Sequence, residues 1–588
     1  MSHEKPMFLY NPDSTPDREI GRSPKSSIMT RLKLRGSYFY YLLALLLAVI
    51  VLYPMIILLA SSFFTGQPGR WGHLTLLGYS VWLQDGELLP ILANSLIFAT
   101  VRLFIGLFFS LLFAWAVART DVPFARVMTW LIPVPFFVPD LLTGISWLMM
   151  GNPQNGLINQ WAQSLFGIKT NVIDLYGWTG LIFHSSLSNI AFMFLMLVGF
   201  FKSMDASFEE AAITLGANKL KTLFTITLPI MKPAIIGVSI LVFVQGLESF
   251  ESPLLFGNPG GVYLFSNEIY RMLNFRFPPE YGSATGLAVF IIAIMAGLLI
   301  AQQKIVGNQQ YAVVTGKGRN LTLLRLPGLL RWAIFSIFVI YFTLAFVIPV
   351  TQIVVSSFFP IFGLYDLKDI SLQNWSNLWQ DDSAVSGIEN TILYSSIAAV
   401  GAILLGGFVG YIRVRTRHWL GAILEFVAWA PWTLPGIVLS LALLWAWALP
   451  PEPFNLYGTA AVIILGFLIK GLPLGTATMQ SSIRQISTEL EESGRVHGGS
   501  WIQTMAHIVS PLLRRGAFAT FIIVFAMASR DLSVPLLLYR SGTETLTVTM
   551  LNYYEQGTMG TLAAIAVIQL AMVLVLLCLE KFLQRNQA

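Results

Sequence analysis

The chain has 588 residues, of which 55% are hydrophobic and only 11% charged, with 36 Lys and Arg against 30 Asp and Glu and a formal net charge of +6. Soluble globular domains carry about a quarter charged residues, so this composition excludes an ordinary soluble fold and indicates an integral membrane protein. The basic excess elsewhere suggests nucleic acid, but here Lys and Arg sit in short clusters between apolar runs, as the positive-inside bias requires, and nucleic-acid binding is set aside.

Residues 1–37 read as a flexible cytoplasmic tail, rich in Pro, Ser and charge and without the apolar core of a signal peptide. A spanning helix needs about 20 mostly apolar residues. On that criterion the first half offers spans at 38–60, 91–118, 127–150, 177–201, 233–256 and 283–305. A polar linker at 311–329 follows, and the second half offers spans at 330–357, 386–412, 421–449, 458–481, 515–538 and 561–583. Cys578, the single cysteine, falls in the last of these, so no internal disulfide is possible and a packing or lipid-facing role is expected.

If each run crosses once, the basic clusters fall on one side. Arg31, Lys33 and Arg35 precede the first span, Arg119 and Arg126 follow the second, Lys219 and Lys221 follow the fourth, and Lys317, Arg319, Arg325 and Arg331 join the halves. Arg413, Arg415 and Arg417, then Arg484 and Arg495, then Lys581 and Arg585 repeat the bias. The opposite loops hold acids such as Asp85, Glu87, Asp366, Asp381, Asp382 and Glu389, so both termini are predicted to be cytoplasmic.

The two halves echo one another. Glu209, Gly216, Asn218 and Pro229 correspond to Glu491, Gly498, Ser500 and Pro511 at a constant offset of 282 residues. Ser61-Ser62-Phe63-Phe64 recurs as Ser356-Ser357-Phe358-Phe359, Asn94-Ser95 as Asn390-Thr391, Pro135 and Pro139 as Pro431 and Pro435, and Pro253-Leu254-Leu255 as Pro535-Leu536-Leu537. An even number of spans per copy makes the copies parallel. The expected fold is therefore all-α: a polytopic membrane protein of about twelve transmembrane helices, two tandem six-helix repeats with pseudo-twofold symmetry about the membrane normal and a pathway at their interface.

The repeated polar segment is patterned as a helix-turn-helix on the cytoplasmic surface. Ser207 and Glu210 have capping-box spacing, Gly216 suits the left-handed residue that ends a helix, and Asn218 can cap a second short helix that stops before Pro229. Leu220, Leu223 and Phe224 would share one face of it, as would Met505, Ile508 and Val509 in the second copy. There Thr488 and Glu491 offer a capping box one residue earlier, leaving the start of that helix open. A single such loop reads as a solvated connector, whereas a duplicated one suits docking onto two copies of a partner.

On these residues the sequence resembles the membrane subunits of binding-protein-dependent ABC importers, whose cytoplasmic Glu-Ala-Ala motif with a following Gly contacts the ATPase. Glu210-Ala211-Ala212 with Gly216 matches it, and Glu492-Ser493-Gly494 with Gly498 departs from it, which implies asymmetric engagement. The resemblance covers the chain from about residue 38 and is to the fused form, with permease repeats at 38–310 and 330–588. The stretches Tyr311-Ala312-Val313-Val314-Thr315-Gly316-Lys317-Gly318, Asn155-Gly156-Leu157-Ile158-Asn159 and Gly542-Thr543-Glu544-Thr545-Leu546 are similar to permeases grouped with ferric-iron uptake. The resemblance implies a small solute, ferric iron first, with thiamine, phosphonate or polyamine as alternatives. It also implies two copies of a cytoplasmic ABC ATPase, an extracytoplasmic solute-binding protein, and a bacterial or archaeal inner membrane. ATP and Mg would be held by the partner, with no cofactor in this chain, and Glu209, Glu210, Ala211, Ala212, Gly216, Asn218, Pro229, Glu491, Glu492, Gly498, Ser500 and Pro511 would carry ATPase coupling.

No nucleotide site is legible. Around Thr315-Gly316-Lys317-Gly318 the Gly that a phosphate loop needs is Tyr311, and Gly318 stands where Ser or Thr would bind magnesium. The six His are scattered, and His184 reads as a hydrogen-bonded packing residue. Tyr263, Tyr270, Tyr281, Tyr553 and Tyr554 read as an interfacial belt. The informative charges are Glu248 and Glu251, three apart on one helical face, with Arg530 and Asp531. By the 282 offset Glu248 and Arg530 are mates of opposite charge; the four either line and gate a translocation pathway or form a fixed ion pair locking the halves. Arg102 reads as a side chain able to snorkel. An ion-gradient secondary transporter would leave the duplicated motif without a role, and an intramembrane enzyme lacks a nucleophile–base or metal constellation.

Overall fold

Proline placement decides where the apolar runs are straight and where they break. The computed structural model describes residues 40–585 apart from 77, 81–85, 169, 206, 307–323, 417 and 452. The tail expected at 1–37 and most of the linker expected at 311–329, including Tyr311–Gly318, lie outside the described residues, as does the side chain of Cys578. Among the described residues ten helices are long and apolar enough to cross a membrane, and two bent pairs, each taken as one span, bring the number to twelve.

In the first half these are Tyr40–Ser61, Leu88–Arg119, the pair Ala125–Phe137 with Asp140–Gly151, Trp178–Ser203, Leu223–Glu248 and Tyr281–Leu298. In the second they are Gly328–Ser356, Asp382–Arg415, the pair Leu420–Thr433 with Gly436–Ala448, Ala460–Arg484, Trp501–Ser529 and Met559–Leu576. We count each bent pair as one span, the third and the ninth. Among the described residues extended pairing is limited to isolated bridges.

Three expectations are corrected. The runs 127–150 and 421–449 are not continuous helices but bend by 90° and 112°. Val138 and Leu434, each just before a proline, have ψ of 135° and 120°, the extended backbone that a following proline imposes. The runs 233–256 and 515–538 also stop short, at Glu248 and Ser529. Glu251 therefore lies beyond a break at Ser249, where ψ is 132°, and does not share a helical face with Glu248.

The short helix after Asn218 does not stop before Pro229. Lys219–Thr222 passes through a wide turn, Leu223–Thr227, into Leu228–Glu248. Leu228 N–H reaches back five residues to Leu223 O, which opens the space that the ring of Pro229 would otherwise take from a carbonyl. Wide turns at Ala48–Leu52, Thr343–Val347 and Met505–Val509 likewise end two residues before Pro54, Pro349 and Pro511. One proline device thus keeps four spans continuous where a proline would break them.

The first span of each half is seated on the other half. Tyr53 Oη donates to Ala446 O at 3.1 Å, and Tyr40 packs on His418. In return Tyr341 Oη of the seventh span lies 3.3 Å from both Ile132 O and Leu187 O, and Ser146 Oγ donates to Pro349 O at 3.0 Å. Phe338, Tyr341 and Ala345 are buried in one apolar core with Phe113, Phe194 and Phe201 of the first half.

The repeated Asn-Ser and Asn-Thr pairs also find a role. Phe265 N–H donates to Ser95 Oγ at 3.1 Å and Leu546 N–H to Thr391 Oγ1 at 2.7 Å, so the second and eighth spans each anchor the start of a short helix, Phe265–Asn274 or Leu546–Gln556. Of the five tyrosines expected as an interfacial belt, Tyr270 and Tyr553 are buried and Tyr263, Tyr281 and Tyr554 half-buried. Tyr270 is buried against Phe250, and buried Tyr553 donates to Asp381 Oδ2 at 2.5 Å.

Candidate functional site

Each duplicated loop is a helix, a left-handed glycine and a second helix. The first helix runs Ser207–Thr214 in one copy and Thr488–Val496 in the other. Neither uses the capping box expected at Ser207–Glu210 or at Thr488–Glu491. Asp205 Oδ1 accepts from Ser207 N–H at 2.9 Å, and at the position offset by 282 Ser487 Oγ accepts from Glu489 N–H at 3.3 Å. Gly216 and Gly498 follow with φ of +89° and +83°, a conformation that side chains disfavour. Asn218 Oδ1 then accepts from Lys221 N–H at 2.7 Å and Ser500 Oγ from Gln503 N–H at 3.3 Å, starting the second helix of each loop.

The two glutamates of each copy point in opposite directions. Glu209 and Glu491 are buried, whereas Glu210 and Glu492 are exposed. Glu209 Oε1 accepts from Thr227 Oγ1 at 2.5 Å, and its Oε2 lies 3.8 Å from Arg119 Nη1, at the end of the second span. Glu491 is held by Arg415 Nε at 2.8 Å and by Tyr411 Oη at 2.8 Å, both at the end of the eighth span. Arg415 also donates to Ile483 O and Ile486 O, and Arg119 to Met204 O.

Sequence reasoning counted Arg119 and Arg415 as topology markers and missed them as internal partners. The signal was present: they lie 296 residues apart, the same offset as Asn94-Ser95 to Asn390-Thr391.

The outward faces carry apolar side chains beside the exposed glutamates. Leu215 and Phe224 in the first loop, and Val496 and Ile502 in the second, are exposed. Ala211 is exposed and Ala212 half-buried. Gly494 occupies the Ala212 position, where a Cβ would lie 2.7 Å from Ile508 Cδ1. An alanine there would need the Ile508 side chain to shift.

Between the halves lies a cavity of about 180 Å³, lined by Glu248, Glu251, Arg530 and Asp531 together with Arg102, Asp140 and Lys470. The structure brings the four expected charges to one place but does not pair Glu248 with Arg530. Arg530 donates to Phe136 O and stacks over that ring at 4.7 Å. The ion pair made here is Lys470 with Asp531, whose Oδ1 also accepts from Ser533 Oγ at 2.9 Å and Val534 N–H at 3.0 Å. Lys470 was missed, although a lone lysine in the apolar run 458–481 was visible.

Arg102 does not snorkel: its Nε reaches Ser185 O at 3.4 Å inside the bundle. His184 is buried between Thr143 Oγ1 at 2.9 Å and Ser252 Oγ at 2.8 Å, a packed and satisfied side chain. Among the described residues no group of three His, Cys, Asp or Glu is arranged to hold a metal ion.

The family model described as "Binding-protein-dependent transport system inner membrane component" matches residues 106–306 and again 402–587. "Ferric transport system permease protein FbpB" of Actinobacillus pleuropneumoniae is 27% identical over 487 residues, covering 82% of this chain and 69% of that protein. "Putative ferric transport system permease protein FbpB 1" of Haemophilus influenzae is 26% identical over 468 residues, covering 78% of this chain and 72% of that protein. "Molybdenum transport system permease protein ModB" of Escherichia coli K12 is 26% identical over 223 residues, 37% of this chain but 94% of that protein.

Proposed function

From the fact that this chain belongs to the family of binding-protein-dependent transport system inner membrane components, matched in two repeats, we propose that it moves ferric iron across the inner membrane as the permease subunit of an ATP-driven ABC importer. The observation that carries the substrate is the likeness of most of the chain, both repeats included, to two ferric transport permeases. A binding protein on the outer side delivers the solute to the interface between the halves. Two ATPase subunits, holding ATP and Mg, dock on the exposed faces of the two loops, one each, on the cytoplasmic side where both termini lie.

In this reading the mechanism follows from the latches. Glu210, Ala211 and Gly216 with Asn218, and Glu492 and Gly498 with Ser500, present the docking surface. Glu209 and Glu491 bind each loop to the end of the second or eighth span, so a pull on the loop moves that span with it. Continuity through Pro229 and Pro511 passes the same pull into the fifth and eleventh spans, whose far ends carry Glu248, Glu251, Arg530 and Asp531 to the cavity. Each partner favours a different state of one two-state device.

The test is uptake in liposomes holding the chain with its ATPase and the neighbouring binding protein. Radiolabelled ferric iron should enter only with ATP and binding protein present. Uptake with no ATPase would instead mark a gradient-driven transporter. The bases Lys470, Arg102 and Arg530 in the cavity favour an oxyanion as the second reading, and molybdate entering in place of iron would establish it.

A further inference from the structure

The cavity between the halves is built on symmetric scaffolding with unsymmetric charge. Ser188 and Lys470 each lie ten residues into their spans, Trp178–Ser203 and Ala460–Arg484. Asp140 and Gly436 each open the second arm of a bent span. By the 282 offset Glu248, Ser249 and Glu251 stand opposite Arg530, Asp531 and Ser533. In the first half Ser188 Oγ donates to Asp140 Oδ1 at 2.5 Å; in the second the same two places hold Lys470 and a glycine.

The glycine is what admits the lysine. A Cβ on Gly436 would lie 1.8 Å from Ser533 Oγ and 2.9 Å from Lys470 Nζ, so no larger residue fits at this bend. Lys470 Nζ contacts Asp531 and lies 3.4 Å from Ser533 Oγ, tying the tenth span, the bend of the ninth and the break after the eleventh to one point.

Formal charges sharpen the picture. Asp140, Glu248, Glu251 and Asp531 oppose Arg102, Lys470 and Arg530, a net charge of −1. Arg530 donates to Phe136 O, and Arg102 reaches Ser185 O from Nε; among the described residues neither forms an ion pair. Among the described residues Glu248 and Glu251 form no ion pair, so Lys470 is the base that answers a cavity carboxylate directly.

We propose that Lys470 is a resident counter-cation of the cavity: its ammonium occupies Asp531 at the bend of the ninth span, and a cation crossing between the halves must take that carboxylate from it. At rest the lysine closes the cavity to free cations. This rests on the cavity being the pathway of a cation importer, and it names the side chain that keeps such a pathway from leaking.

The test is passive influx of Mn²⁺, read by quenching of an enclosed dye, into liposomes holding the assembled permease–ATPase complex without ATP or binding protein, with glycerol influx as control. Lys470→Gln, which takes the formal charge to −2, should raise Mn²⁺ influx about tenfold, the factor that a modest free-energy change produces, without raising glycerol influx. Lys470→Arg should stay at the wild-type rate. Asp531→Asn should fall to or below it, and the double variant Lys470→Gln/Asp531→Asn, with the net charge back at −1, should return to it.

Influx unchanged in Lys470→Gln, or matched by glycerol, overturns the proposal in favour of a purely structural bolt. Should Lys470→Gln fail to assemble, Asp531→Asn decides alone, since influx above wild type there is incompatible with it. Failure of ferric uptake in the wild-type complex would remove the substrate reading while leaving this comparison standing.

Discussion

The two loops are built to one plan and latched by different chemistry. Glu491 sits in a tight ion pair, 2.8 Å from Arg415 and from Tyr411. Glu209 takes its short hydrogen bond from Thr227 at 2.5 Å, and Arg119, at 3.8 Å, spends a donor on Met204 O instead. The copy with the better Glu-Ala-Ala match therefore has the looser internal ion pair, and the copy that departs from the motif has the tighter one. Agreement with a docking motif reports on the outward face of a helix and says little about how its inward face is held.

The largest expected difference between the loops comes from removing the buried carboxylates. Glu491→Gln takes the carboxylate from the Arg415 guanidinium, which keeps only its bonds to Ile483 O and Ile486 O; breaking such an ion pair costs up to about 3–5 kcal/mol, and the loss should appear as reduced thermal stability of the purified chain and loss of ATP-driven uptake. Glu209→Gln should cost less, because the ion pair it removes is longer, 3.8 Å against 2.8 Å. Equal losses in thermal melts would erase the contrast.

A smaller effect is expected from Thr227→Val, which installs the residue that the second copy carries at this position, Val509. It withdraws the donor from a buried carboxylate at about 1–3 kcal/mol. The reverse change, Val509→Thr, should be nearly neutral, because Glu491 is already satisfied. A large effect of Val509→Thr on stability would mean that the two latches do not differ as described.

The smallest effect, and the one that should be the same in both loops, is on the left-handed glycines. Gly216→Val and Gly498→Val each force a side chain into a positive-φ residue for about 1–2 kcal/mol, and no neighbour lies within 4 Å of either Cβ position. Stability should fall alike in the two variants, while uptake falls further than ATP hydrolysis. Unchanged uptake and hydrolysis in the reconstituted complex would remove these glycines from coupling.

Much of this was legible in the sequence where a local rule and the repeat agreed. Twelve apolar runs, the glycines at 216 and 498 and the caps at Asn218 and Ser500 each follow from residue type and spacing. What escaped depended on where a chain end arrives in space. Arg119 and Arg415 look like any basic residue after an apolar run; only the overrun of the second and eighth spans brings them beneath the loops. Pro139 lies in the apolar run 127–150 and Pro229 just ahead of the run 233–256, yet one bends its span by 90° and the other is absorbed by a wide turn. The Glu248–Arg530 pairing failed for the same reason: symmetry set the two residues on mated positions, but Phe136, from another element, took Arg530.

The exchanged seats of the first and seventh spans set a timetable for synthesis. Tyr53 meets its partner carbonyl at Ala446, 393 residues later in the chain, and at about 5–20 residues per second the ribosome needs ~20–80 s to deliver it. The span Tyr40–Ser61 thus waits for its partner through most of the translation of the residues that follow it. The seventh span arrives to find Ile132 and Leu187 already in place. Insertion proceeds from the N-terminus, and completion of the bundle loops back to it.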